Sequence, residues 1–137
     1  MRIIIPGNPI TKKNHQRIVC VRGHYMIMPS KQYKEYEKQC GQYLKGYSEI
    51  LSDRLNLKCS YYMQTRRRVD LNNLLEATTD ILTTYGILID DNSNIVSGFD
   101  GSRVLYDKDN PRVEIDITRM EDKDERERES ETGTEIT

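Results

Sequence analysis

A stretch that repeats every second residue, followed closely by one that repeats every third or fourth, restricts this chain to folds in which a strand feeds directly into a helix. From Leu55 to Met63, the residues Leu55, Leu57, Cys59, Tyr61 and Met63 alternate with the polar or mixed Asn56, Lys58 and Ser60, as a strand with one buried face requires. From about Leu71 to Tyr85, the residues Leu74, Leu75, Thr78, Ile81, Leu82 and Tyr85 share one side of a helix, and Asn73, Glu76 and Asp80 share another. Between the two lies Gln64-Thr65-Arg66-Arg67-Arg68-Val69-Asp70.

The flanking sequence supplies the rest of the architecture. Arg2-Ile3-Ile4-Ile5 predicts a short buried strand, stopped by Pro6-Gly7-Asn8-Pro9 and followed by a basic loop from Ile10 to Gln16. Arg17–Val21 and His24–Met28 predict a β-hairpin turning at Arg22-Gly23. Ser30 is placed to cap a first helix carrying Tyr33, Tyr36, Glu37, Cys40, Tyr43, Leu44 and Tyr47 on one side, with its end left open by Gly46. These tyrosines have two readings, as packing surface or as platforms for bases. Gly86 ends the second helix, and Ile87-Leu88-Ile89 predicts a very short strand delivering Asp90-Asp91. Ile95 to Tyr106 and Arg112 to Ile117 predict two more strands. The expected fold class is mixed α/β (α+β): a single mixed sheet with two principal helices, in one domain over residues 1–119.

Residues 121–131 are charged almost throughout and offer no apolar residue to bury, so a disordered tail is expected over residues 120–137; a solvated tail and an acidic mimic of DNA are its two readings. No apolar run reaches the roughly 20 residues that span a bilayer, and Met1-Arg2-Ile3-Ile4-Ile5-Pro6 is too short for a signal-peptide core, so a cytoplasmic protein with no membrane partner is expected. Cys20, Cys40 and Cys59 lack the spacing of a zinc site and read as reduced thiols. The formal net charge of −1 hides a polarity: residues 1–68 carry 14 Lys/Arg against 4 Asp/Glu, and residues 69–119 carry 4 against 10. Such a chain can pair a phosphate-attracting surface with a cation-holding pocket, provided the segments form separate surfaces.

Arg66-Arg67-Arg68 repels itself and becomes favourable beside phosphates or carboxylates, whose oxygen pairs match the guanidinium fork. Asp70 is either the N-cap of the second helix or a metal ligand at the sheet edge, and spacing does not separate the two. Asp90-Asp91 is either a polar turn or a pair of carboxylates neutralised by a cation. A calcium loop is excluded, because Ile95 stands where an EF-hand needs Gly and Gly101 where it needs Glu. His15 and His24 have no nucleophile or second histidine at a catalytic spacing and read as non-catalytic.

The succession of basic cluster, Asp70-Leu71-Asn72-Asn73-Leu74, helix with Asp80, Gly86, short apolar segment and Asp90-Asp91 resembles the RusA family of Holliday junction resolvases. The likeness extends to the N-terminal strand with its Pro-rich turn, to Lys12, Lys13 and Asn14, and to Ser30-x-x-Tyr33-x-x-Tyr36. It implies a homodimeric nuclease that binds four-way junction DNA and cuts two opposed strands with Mg²⁺ or Mn²⁺. Catalytic carboxylates would be Asp70 and Asp91, with Asp90 and Asp80 in support. The metal donors would be Asp70, Asp91, Asp90 and Asn72, and the DNA contacts Lys12, Lys13, Asn14, Arg66, Arg67, Arg68 and Asn73. Hard carboxylate oxygens are what Mg²⁺ takes, and phosphodiester hydrolysis uses a metal to activate water and to stabilise charge on the phosphate.

Two positions depart from the family pattern. Asn72 stands where the family usually carries Asp, which keeps a carbonyl oxygen but loses its charge. Glu76 stands where it commonly carries Lys; one helical turn from position 72, it could supply the missing carboxylate. If so, Glu76→Gln abolishes metal-dependent cleavage; if Glu76 only solvates the helix, cleavage survives. Two alternatives follow: a weakened relative that binds junctions without cutting, and an adaptor whose acidic half binds a basic protein. The adaptor leaves the triple arginine unexplained.

Overall fold

The computed structural model describes residues 1–13, 17–47 and 51–120, so Asn14, His15 and the tail from Glu121 onward lie outside the described residues. In chain order the elements are β1 (Arg2–Pro6), β2 (Arg17–Val21), β3 (His24–Met28), α1 (Lys31–Leu44), β4 (Leu55–Met63), α2 (Leu71–Thr84), β5 (Val96–Gly98), β6 (Arg103–Tyr106) and β7 (Arg112–Arg119). The fold is mixed α+β, with a main mixed sheet and two helices.

β4 organises the sheet. β7 runs antiparallel along one edge from Leu55↔Arg119 to Tyr62↔Arg112, and β5 and β6 run parallel along the other. β1 closes the far side of β7, with Ile3 opposite Ile115. Alternation puts Leu57, Cys59 and Tyr61 of β4, Ile3 and Ile5 of β1, and Val113, Ile115 and Ile117 of β7 into one core. Tyr33, Tyr36, Cys40 and Leu44 of α1 and Leu74, Ile81 and Leu82 of α2 join that core. Tyr61 carries its hydroxyl into the core, where Thr78 Oγ1 meets it at 2.7 Å and satisfies a group that would otherwise be costly to bury. The ring of Tyr85 fills the space a Cβ at position 41 would occupy, so glycine alone fits in α1 there without moving the ring.

Ser30 caps α1, accepting from Tyr33 N at 3.0 Å, and the helix ends at Leu44. Gly46 follows outside it. The hairpin turns where expected, with positive φ at Arg22 (53°) and Gly23 (80°), the pairing that a two-residue turn needs to match strand twist. It does not join the main sheet; β2 and β3 form a separate two-stranded ribbon with Ile18, Tyr25 and Ile27 at 76%, 80% and 69% exposure.

Two strand expectations are corrected. Ile87-Leu88-Ile89 is not a strand: only Leu88 makes a bridge, to Leu51, and Ile87 N and Leu88 N donate to Leu82 O as the helix end closes. Ile87 and Leu88 are apolar because they seal that end, while Ile89 is exposed. The span from Ile95 to Tyr106 is two strands rather than one, broken at Phe99–Ser102, where Gly101 takes φ +85°. The break leaves part of the β4 edge without a strand. Ser102 fills the gap, its hydroxyl accepting from Cys59 N at 2.9 Å and donating to Leu57 O at 3.1 Å.

On the sheet face away from the helices, Glu114 lies 2.8 Å from Arg2 and 3.8 Å from Arg112, whose guanidinium stacks on Tyr62 at 3.8 Å. Burial pushes the Glu114 carboxyl up, but the hydrogen bond from Arg2, the Arg112 charge and a bond from Tyr62 outweigh it and hold the carboxyl below its usual range. A depressed carboxylate stabilises the fold above the unfolded-state value of about 4.3 and loses that contribution as pH falls through its folded value. Urea denaturation at pH 7 and pH 3 is expected to show a smaller acid-induced loss in Glu114→Gln than in the parent; equal losses would contradict this assignment.

Candidate functional site

β4 ends at Met63, and the chain then crosses the basic segment to the first turn of α2. Asp70 is the N-cap: its Oδ1 accepts from Asn72 N at 2.9 Å. Capping uses one carboxylate oxygen only, and the residue is exposed, so the cap and ligand readings are compatible. Asn72 is exposed beside it and Asn73 is half-buried. No acidic residue occupies the first turn of α2 itself.

The three arginines do not act as one cluster. Arg66 stacks over the ring of Tyr106, 4.2 Å from its centroid. Arg67 and Arg68 turn into a groove of about 420 Å³, and neither has a carboxylate partner among the described residues. Both are exposed cations at this end of the sheet.

The loop after β1 lies against α2. Lys12 Nζ is 3.2 Å from Asp80 and Lys13 Nζ is 3.3 Å from Glu76. Glu76 and Asp80 stand one helical turn apart, so two consecutive lysines meet two carboxylates in register. The Lys13–Glu76 pair is exposed and the Lys12–Asp80 pair half-buried; pairs this close to the surface are worth about 0–1 kcal/mol each, and they position the loop without locking either partner. Lys12 and Lys13, expected on DNA, are thus engaged with the protein, and Glu76, weighed as a ligand, faces a cation. Asn14 lies outside the described residues.

Asp90 and Asp91 follow the Leu88 bridge and are exposed. The backbone N–H of Asp91 donates to Asp90 Oδ1 at 2.7 Å, which helps hold the Asp90 carboxyl below its usual range. The Asp91 carboxyl is pushed up, first by partial desolvation, then by contact with the Asp90 carboxyl and by the negative charges of Asp80 and Asp90. Asp91 is therefore a site of accumulated negative charge, which a bound cation would relieve.

That charge tests the fit of a divalent metal. Among the described residues no three His, Cys, Asp or Glu side chains converge to hold an ion by themselves. Mg²⁺, however, is commonly held by one or two carboxylates with substrate phosphate and water completing its shell. The exposed oxygens of Asp90, Asp91, Asp70 and Asn72 suit that mode in donor chemistry.

Sequence reasoning placed Asp70 at a helix start and the arginines at a strand exit. It missed the groove: Asn8, Thr11, Gln32 and Met63 come together there from separate segments, with no shared local pattern to announce them. The partners of Lys12 and Lys13 did leave a signal, the i, i+4 carboxylates of Glu76 and Asp80.

No curated protein shows a significant match to the chain. Residues 6–118 match the family model described as Endodeoxyribonuclease RusA, a span running from the end of β1 almost to the end of β7 and including every candidate site residue named above. The chain belongs to the RusA endodeoxyribonuclease family.

Proposed function

We propose that this protein is a Mg²⁺- or Mn²⁺-dependent homodimeric endonuclease of the cytoplasm that recognises four-way DNA junctions and hydrolyses two opposed strands. Family membership supplies the nuclease class. The observation that best supports the reading within the molecule is that Arg67 and Arg68, which have no carboxylate partner among the described residues, lie within three residues of the Asp70 cap. Guanidinium forks bind phosphate oxygens bidentately, and here they would bring a backbone phosphate to the carboxylates.

Each side chain then has a role. Arg67 and Arg68 bind and orient the phosphate, Arg66 holds its segment against Tyr106, and Asp70 fixes the start of α2 while presenting its second oxygen. Oxygens of one or two of Asp70, Asp90 and Asp91, with the Asn72 carbonyl, would hold the metal, substrate phosphate and water completing its shell. When bound, the metal supplies a Lewis acid that lowers the pKa of water and offsets charge on the phosphate. Asp80 raises the negative charge around Asp91 and pairs with Lys12. A two-fold junction cut symmetrically calls for two related sites, which a closed dimer provides most simply.

Incubating the protein with a labelled four-way junction or a matched linear duplex, in Mg²⁺, Mn²⁺ or EDTA, tests this reading. Paired, metal-dependent nicks confined to the junction are expected. The neutral Asn72 and the Lys13-bound Glu76 favour a second reading, a weakened relative that binds without cutting, and tight junction binding with no nicks would establish it. Absence of junction preference would refute both.

A further inference from the structure

We propose that the groove at the exit of β4 is a pocket for one nucleotide drawn out of the base stack at the branch point. The source of that nucleotide rests on the junction reading above; the pocket itself rests on three features of the groove.

Its volume, about 420 Å³, falls in the roughly 300–1,000 Å³ range of small-molecule sites and exceeds what a lone phosphate fills. Its walls are of two kinds. Arg67 and Arg68 supply cationic forks on one part, and Ile10, Met63 and Val69 supply apolar surface on another. A nucleotide divides in the same way, into a phosphate and a flat base with a polar rim.

The third feature is an orphan. Thr11 lines the groove, is only 2% exposed, and its Oγ1 has no hydrogen-bond partner among the described residues. A buried hydroxyl without a partner is unfavourable, and a native protein that keeps one does so with a water, an ion or a functional contact to complete it. Nearby, the Asn8 side chain is oriented by the bond its Oδ1 accepts from Gln64 N at 2.9 Å, and its two amide N–H groups have no acceptor among the described residues. Gln32, exposed at the start of α1, offers a donor and an acceptor to the same space. These groups match the edge of an unpaired base, whose hydrogen-bonding atoms lose their partner when it leaves the duplex. A peptide carrying a carboxylate would satisfy the arginines but would leave the base-like apolar wall and buried hydroxyl without a reason to coincide.

The test uses the full chain in EDTA, where cutting cannot confuse binding, with four-way junctions carrying a single 2-aminopurine at successive branch-point positions. At one position, binding should raise the fluorescence several-fold as the base leaves the stack. Thr11→Val, nearly isosteric, and Gln32→Ala, a surface change, should each halve that rise or more and weaken binding of the same junction about 10-fold. With an abasic residue at that position, parent and variants should bind alike, which separates lost base contacts from a damaged fold. Junction binding with no brightening at any position, or brightening unchanged in both variants, would overturn the pocket while leaving the junction reading intact. Failure to bind the junction at all would overturn both.

Discussion

Asp91→Asn is expected to lower junction cleavage by on the order of 10³-fold or more while leaving junction binding within a few-fold of the parent. The substitution keeps the size of the side chain and removes the charge that a cation needs. It also removes repulsion: the Asp91 carboxyl is held above its usual range in part by Asp90 and Asp80, so the unliganded protein should unfold at an unchanged or slightly higher temperature. Loss of activity without loss of stability is the signature of a residue retained for function rather than folding. Single-turnover cleavage, gel-shift binding in EDTA and thermal unfolding together check this. Cleavage within tenfold of the parent would remove Asp91 from the reacting centre.

The second large effect runs in the opposite direction. Asn72→Asp is expected to lower the Mg²⁺ concentration for half-maximal cleavage by about 10–100-fold, the scale on which ligand-shell changes move metal affinity. Asn72 is exposed, so solvent screens the new charge, which otherwise meets the Asp70 carboxylate beside it and Glu76 one turn further along α2. A carboxylate near a helix N-terminus is itself favourable, by about 0.3–1 kcal/mol. A Mg²⁺ titration of cleavage measures the shift, and an unmoved midpoint would mean that position 72 lies outside the metal shell.

How far the sequence carried depended on the range of the interactions involved. β4 and α2 were legible because burial on one face imposes a period, and the caps Ser30 and Asp70 because a helix start leaves N–H groups that a short side chain satisfies. Ile87-Leu88-Ile89 misled because three apolar residues carry no period: Ile87 and Leu88 are buried under the end of α2, as a strand would also be buried in a sheet, and Ile89 is exposed. The span from Ile95 to Tyr106 misled because Ser102 lets a turn satisfy the edge of β4, a contact more than 40 residues away in sequence. For the site, the carboxylates and arginines were legible as charge that folding alone does not require. Their assignment was not: that Arg66 belongs to Tyr106, and Lys12 and Lys13 to α2, is decided by which segments the sheet brings side by side.

The placement of β1 carries a consequence for how the molecule comes into being. Ile3 and Ile5 find their strand partners at Ile115 and Val113, so among the described residues β1, the first strand of the sheet to be made, pairs with its last. β4 likewise has no antiparallel neighbour until β7 has been made. Until then, β1 and β4 have apolar faces and unpaired edges on which other chains could pair. Closing loops of this length before any pairing is gained makes for slow, late and cooperative folding, so a chain cut off before β7 should collect in aggregates rather than as a smaller folded unit.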